Sequence, residues 1–197
     1  MPTIVTHAVV GLALGRLFTV RKMPRLAFWG MLAGLAMLPD IDVLGHRLGI
    51  PYGDVLGHRG LTHSLPFALV LSALAAAACY RACQVRFWDL WGLFFVATAS
   101  HGILDACTHA GPYTGIQGIA FFAPFDAERY WLPWRPMQAS LFLGGGFFTN
   151  PWTLETIRTE FVWVWLPTGL IVGVVEVYRA IRRARIPPPE NEISSPE

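Results

Sequence analysis

Charge is scarce in this chain of 197 residues: Asp, Glu, Lys and Arg together make 14%, against 54% apolar and 13% aromatic residues. So little charge cannot cover the surface of a soluble domain of this length, and the excess apolar surface needs lipid as its solvent. Cysteine is rarer still. Cys79, Cys83 and Cys107 form no Cys-x-x-Cys pair, which argues against a disulfide framework and a thiolate zinc site and leaves them as small packing residues. A basic surface is missing as well, because a net charge of +2 with arginines gathered at segment ends offers no groove to nucleic acid. The start, Met1-Pro2-Thr3, lacks the basic region of a cleavable signal peptide, so the first apolar segment is expected to stay in the protein.

What is present is a series of apolar runs near the roughly 20 residues that cross a hydrocarbon core. They cover residues 4–20, 26–44, 61–80, 87–107 and 161–178, which predicts an all-α polytopic membrane bundle of about five segments. One membrane-embedded domain over 1–186 accounts for the length, and the proline-rich polar end, 187–197, is expected to be a disordered cytoplasmic tail. Arginine and lysine set the orientation. Arg16, Arg21, Lys22, Arg25, Arg81, Arg86, Arg179, Arg182, Arg183 and Arg185 share one side if the topology alternates, and that side is cytoplasmic. The N-terminus and the connections 45–60 and 108–160 then face the periplasm.

Seven ionisable residues stand where a membrane makes them most costly: His7, Asp40, Asp42, His58, His63, His101 and Asp105. At bilayer depth such groups are expensive unless paired, hydrated or bound to a cation, so a cluster of them marks a function. All seven fall at the predicted outer ends of four segments, and the charge rule that placed those ends made no use of them. His101 and Asp105 are i and i+4 on a helix, hence neighbours on one face that can share a divalent ion or bond each other. Asp40 and Asp42 repel across one residue unless solvent or a cation intervenes, one serving as ligand and the other as support or bridge. The string His58-Arg59-Gly60-Leu61-Thr62-His63-Ser64 adds two imidazoles, a guanidinium suited to phosphate, and hydroxyls that either cap a helix or orient a bound oxygen. His46 and His109 lie nearby in loop-like, glycine-rich surroundings and rank second. From His109 to Glu160 the connection is long and aromatic, with Phe121, Phe125, Trp131, Trp134, Phe142, Phe147, Phe148 and Trp152 around Gly144-Gly145-Gly146. It reads either as a lid that admits a lipid-like substrate or as packing over the bundle's mouth.

Taken together, Thr6-His7 with Gly11, Leu38-Pro39-Asp40-Ile41-Asp42, the His58 to Ser64 string, His101-Gly102-Ile103-Leu104-Asp105 with Thr108, and Pro124-Phe125 resemble the YdjM-type family of bacterial inner-membrane proteins, across about residues 3–126. The resemblance implies a metal-dependent hydrolase. A more distant likeness is to the ligand order of zinc-dependent phospholipases C and single-strand nucleases, and it implies His7, Asp40 or Asp42, His58, His101 and Asp105 as ligands. The second His-x-x-x-Asp and the N-terminal Trp of that pattern are missing, which implies one or two ions, Zn foremost, rather than three.

The expected activity is hydrolysis of a phosphate ester in a lipid or lipid-linked substrate, by a metal-activated water at the periplasmic face. His7, Asp40, Asp42, His58, His63, His101 and Asp105 supply the metal ligands, with Asp42 or Asp105 as base and Arg59 offsetting charge. Arg59, Thr62, Ser64 and Thr108 are expected at the substrate. The rival is a metal carrier or permease without catalysis, and a third reading is a structural module whose His and Asp residues satisfy one another.

Overall fold

In a computed structural model, which describes residues 1–109, 117–140 and 152–185, the chain is mostly helical. Helix α1 (Ile4–Leu17) turns back into α2 (Arg25–Met37), which runs through a 3-10 turn, Leu38–Asp42, into the short α3 (Val43–Arg47). A loop and a second 3-10 turn, Leu61–His63, lead to α4 (Leu65–Cys83) and then α5 (Phe87–Ala106). Beyond it, β1 (Thr108–His109) pairs in parallel with β2 (Met137–Gln138). Helix α6 (Trp152–Glu160) continues through a π-helical turn, Phe161–Trp165, into α7 (Leu166–Ala184). The glycines 144–146, the neighbouring phenylalanines of the aromatic connection and the tail 187–197 lie outside the described residues.

Packing places α5 at the centre, with α2 and α4 against it. Their shared core is Phe28, Leu32 and Leu35 of α2, Ala76 and Cys83 of α4, and Leu90, Phe94 and Ala97 of α5. Helix α1 reaches this core through glycine, because a Cβ on Gly11 would stand 2.6 Å from the Ala33 Cα and 2.6 Å from the Leu32 carbonyl oxygen. That close approach sets the depth of His7, one turn earlier on the same helix.

Among the described residues, three helices are long and apolar enough to cross a membrane: Arg25–Gly45 with 21 residues, Leu65–Cys83 with 19 and Trp152–Ala184 with 33. Helix α1 is apolar but shorter, at 14 residues, and α5 has the length, 20 residues, with carboxylates near both ends. Helix α7 buries none of its residues and turns Leu170, Ile171, Val174 and Val177 outward, the surface that lipid would solvate.

Because a helical Gly→Ala change is otherwise favourable, the Gly11 contact can be isolated. Gly11→Ala is expected to lower stability by about 1–3 kcal/mol through overpacking. Gly30→Ala, where the added carbon meets nothing within 4 Å, is expected to be neutral or stabilising. Thermal unfolding in detergent measures both.

Candidate metal centre

The four stretches meet at one end of the bundle. His7 enters from the first turns of α1, Asp40 and Asp42 from the 3-10 turn after α2, His58 and His63 from the chain before α4, and His101 with Asp105 from the last turns of α5. His7 Nε2 lies 3.4 Å from Asp105 Oδ1, and its ring stacks on His101 with centroids 3.7 Å apart. His101 Nε2 is 3.2 Å from Asp40 Oδ1. His63 Nε2 bridges the halves, 3.6 Å from Asp40 Oδ1 and 3.7 Å from Asp105 Oδ2. Two groups emerge whose ligand atoms lie within 4.8 Å of one another: His7, His101 and Asp105, and Asp40, His58 and His63.

The far side of each ring decides what its near side can do. A carbonyl or carboxylate oxygen only accepts, so an imidazole nitrogen hydrogen-bonded to one carries the proton. His101 Nδ1 therefore donates to the Ala36 carbonyl at 2.7 Å, and His58 Nδ1 to Asp42 Oδ1 at 2.7 Å. In the neutral rings both Nε2 atoms are left with a lone pair, the arrangement by which outer carboxylates and carbonyls prepare histidine for a metal. Asp42 also takes the Thr62 hydroxyl at 2.7 Å and the Arg59 N–H at 3.2 Å on Oδ2, which stands 3.0 Å from His63 Nδ1. Sequence reasoning groups Asp42 with the ligands and the bases. The fold instead gives its oxygens to the loop that carries His58 and His63.

Buried polar atoms almost always find a partner. Of the ten buried side-chain nitrogens and oxygens without a hydrogen-bond partner among the described residues, nine belong to His7, Asp40, Arg59, His63, His101 and Asp105. They come from separate parts of the chain and collect in one place, and the imidazole and carboxylate set suits a divalent transition metal. The donor set fits the ion that the sequence implies.

Arg59 is wholly buried, and its backbone has φ of 65°, a left-handed conformation costing about 1–2 kcal/mol for a residue with a Cβ. The twist drives the guanidinium inward. Nε lies 3.3 Å from Asp105 Oδ2, Nη1 donates to the Gln117 carbonyl at 2.8 Å, and Nη2 to Thr108 Oγ1 at 3.4 Å, over the Trp131 ring. Thr108 in turn donates to the Asp105 carbonyl at 2.7 Å. Ser64 caps α4, accepting the Phe67 N–H at 3.1 Å. Of the four residues expected at a substrate, Arg59, Thr62, Ser64 and Thr108, each thus has a partner within the protein. The side chain of His46 is not among those described, and His109 lies in β1 outside both ligand groups.

Two further residues hold the site without having been singled out from sequence. Glu160, fully buried, accepts from the Thr3 N–H and, at 2.6 Å each, from the hydroxyls of Thr3 and Thr6. A lone carboxylate opening an apolar run is the signal that could have found it. Arg129 gathers the carbonyls of Tyr52, Asp54 and His58, each at 3.0 Å, pinning segment 117–140 over the 52–60 loop. Burial raises the Tyr52 phenol above its ordinary value against the opposing charge of Arg59, so it adds no negative charge beside His58 at neutral pH.

The YdjM inner membrane protein profile matches residues 1–181. The chain is 38% identical over 176 residues to the inner membrane protein YbcI of Escherichia coli K12, covering 89% of this chain and 97% of that one. It is 36% identical over 108 residues to the uncharacterized protein YfhP of Bacillus subtilis 168, covering 51% of this chain and 32% of the other. No solved structure matches, so the likeness to phospholipases C rests on ligand order alone.

The cap assigned to Ser64 separates it from the metal centre. Ser64→Ala should cost about 1 kcal/mol of stability, read from denaturant unfolding, with bound metal unchanged by elemental analysis. Loss of metal without loss of stability would return Ser64 to the site.

Proposed function

The chain belongs to the YdjM inner membrane protein family, and on that premise we propose that it is a metal-dependent hydrolase acting on phosphate esters of a lipid or lipid-linked substrate. The observation that carries this is the gathering into one site of nine buried polar atoms that have no hydrogen-bond partner among the described residues. His7, His101 and Asp105 would hold one ion and Asp40, His58 and His63 a second, three protein ligands each, the number that leaves a zinc a position open to chemistry. A bound ion of this kind lowers the pKa of its water and polarises a phosphoryl oxygen.

The chain's own residues do the rest. Asp42 acts as a positioning residue, fixing His58 and His63 in the tautomer that presents Nε2. Arg59 offsets the charge of Asp105 and reaches any transition-state charge through it. Of the two expected bases, Asp42 has both oxygens taken, so proton acceptance falls to Asp105 Oδ1, the oxygen that faces His7 rather than Arg59. His58 and Asp42, 6% and 7% exposed, are more accessible than the fully buried His7, His101 and Asp105, and a substrate headgroup would approach from their side. In this reading five segments cross the inner membrane, with the N-terminus and the site periplasmic and the C-terminus cytoplasmic.

Purified protein should carry one or two equivalents of divalent metal by elemental analysis and hydrolyse a soluble phosphodiester or a short-chain phospholipid in a chelator-sensitive way. Asp105→Ala and His58→Ala should lose metal and activity together, and Asp42→Asn should weaken metal affinity by about 10–100-fold. Protein that keeps its full metal load after Asp105→Ala and His58→Ala would overturn the ligand assignment. Stoichiometric metal without turnover would leave a binding protein instead.

A further inference from the structure

A second polar site lies at the opposite end of α1 and shares no residue with the metal centre. A cavity of about 100 Å³ opens where the end of α1, the start of α2 and the end of α7 meet. Arg16, Arg25, Arg179 and Arg183 line it against one carboxylate, Glu176. That carboxylate is already committed, with Arg16 Nη2 at 2.6 Å from one oxygen and Arg179 Nη1 at 2.8 Å from the other. Arg179 also donates to the Arg16 carbonyl at 3.1 Å and to the Leu17 carbonyl, while Arg16 lies over the Trp29 ring. These contacts form a fixed wall. Arg25 and Arg183 differ: both are exposed, they stand on different helices, and neither side chain has a hydrogen bond or ion pair among the described residues.

Two unpaired guanidinium groups facing one small cavity leave it positively charged, and α2 adds to this because it begins at Arg25 without a side-chain cap. Uncapped N–H groups at a helix start favour an anion. Depth identifies which anion. Arg25 is the first residue of the apolar stretch Arg25–Gly45, and Arg183 is the last but one of Trp152–Ala184, so the cavity lies at the shared end of two apolar stretches, the level at which membrane helices meet headgroups. Basic pockets between membrane helices at that level bind phosphate headgroups. We propose that this cavity holds the phosphate of an anionic phospholipid, gripped between Arg25 and Arg183 against the Arg16–Glu176–Arg179 wall. The lipid ties α2 to α7, two helices that share no core, and does so independently of the chemistry at the metal centre.

Native mass spectrometry of the full chain in detergent, titrated with phosphatidylglycerol or phosphatidylcholine, tests this. Phosphatidylglycerol should bind with a defined stoichiometry and phosphatidylcholine should not. The double change Arg25→Gln with Arg183→Gln should raise the Kd for phosphatidylglycerol by about thirtyfold, two charges' worth at the membrane surface. Arg21→Gln with Lys22→Gln removes equal charge outside the cavity and should leave that Kd unchanged, and both double variants should keep the wild-type metal content. Equal weakening by the two double variants would mean diffuse attraction, and equal binding of the two lipids would mean no headgroup recognition. Displacement of phosphatidylglycerol by an equal concentration of inorganic phosphate would mean a free-anion site. Each of these results overturns the proposal.

Discussion

Three aspartates sit within a few residues' reach of one another in a space nearly closed to water, and their mutual repulsion is the constraint that the rest of this end of the molecule answers. Each is answered differently. Asp42 is surrounded by donors, from the His58 ring, the Arg59 N–H and the Thr62 hydroxyl, so its charge is spread over hydrogen bonds. Asp105 has a guanidinium at 3.3 Å. Asp40 has, among the described residues, the rings of His63 at 3.6 Å and His101 at 3.2 Å, and neither of its oxygens has a hydrogen bond. A cation between these groups would answer that repulsion directly.

Local irregularities in the fold serve the same end. Arg59 combines its left-handed backbone with a guanidinium turned inward to Asp105, while the neighbouring His58 bonds Asp42. The loop that makes this turn tolerates no side chains at its bends, since a Cβ on Gly57 or Gly60 would fall 2.2 Å from a carbonyl oxygen. Backbone strain placed beside a functional cluster is stable only when its surroundings overdetermine it. Arg129 and the Ala120 N–H, which donates to the Arg59 carbonyl at 3.0 Å, supply that restraint from segment 117–140.

The membership of the cluster was legible in the sequence, whereas the division of labour within it was not. His101 and Asp105 follow from helical spacing alone, and the gathering of the other five residues follows from their places at segment ends. Asp40 and Asp42 look alike in sequence because they differ only in which donors surround them, and those donors arrive about 16 to 20 residues later, from His58, Arg59 and Thr62. No periodicity encodes that. The hydroxyl of Ser64 could equally cap or bind, and in the fold it caps α4, accepting the Phe67 N–H. Helical segments were legible from apolar runs, but their ends were not: α1 stops at Leu17, and the run beginning at residue 26 passes into a 3-10 turn at Leu38 that aims both aspartates inward.

The Glu160 clamp bears on how such a molecule is made. Thr3 and Thr6 are joined to an acceptor more than 150 residues downstream, so these contacts at the start of α1 form only after α6 has been synthesised. Ribosomes deliver α2, α4 and α5 before that moment, so every histidine and aspartate of the cluster precedes Glu160 in the chain. A nascent chain arrested ahead of α6 would therefore hold all seven of these residues without the carboxylate that secures the start of α1.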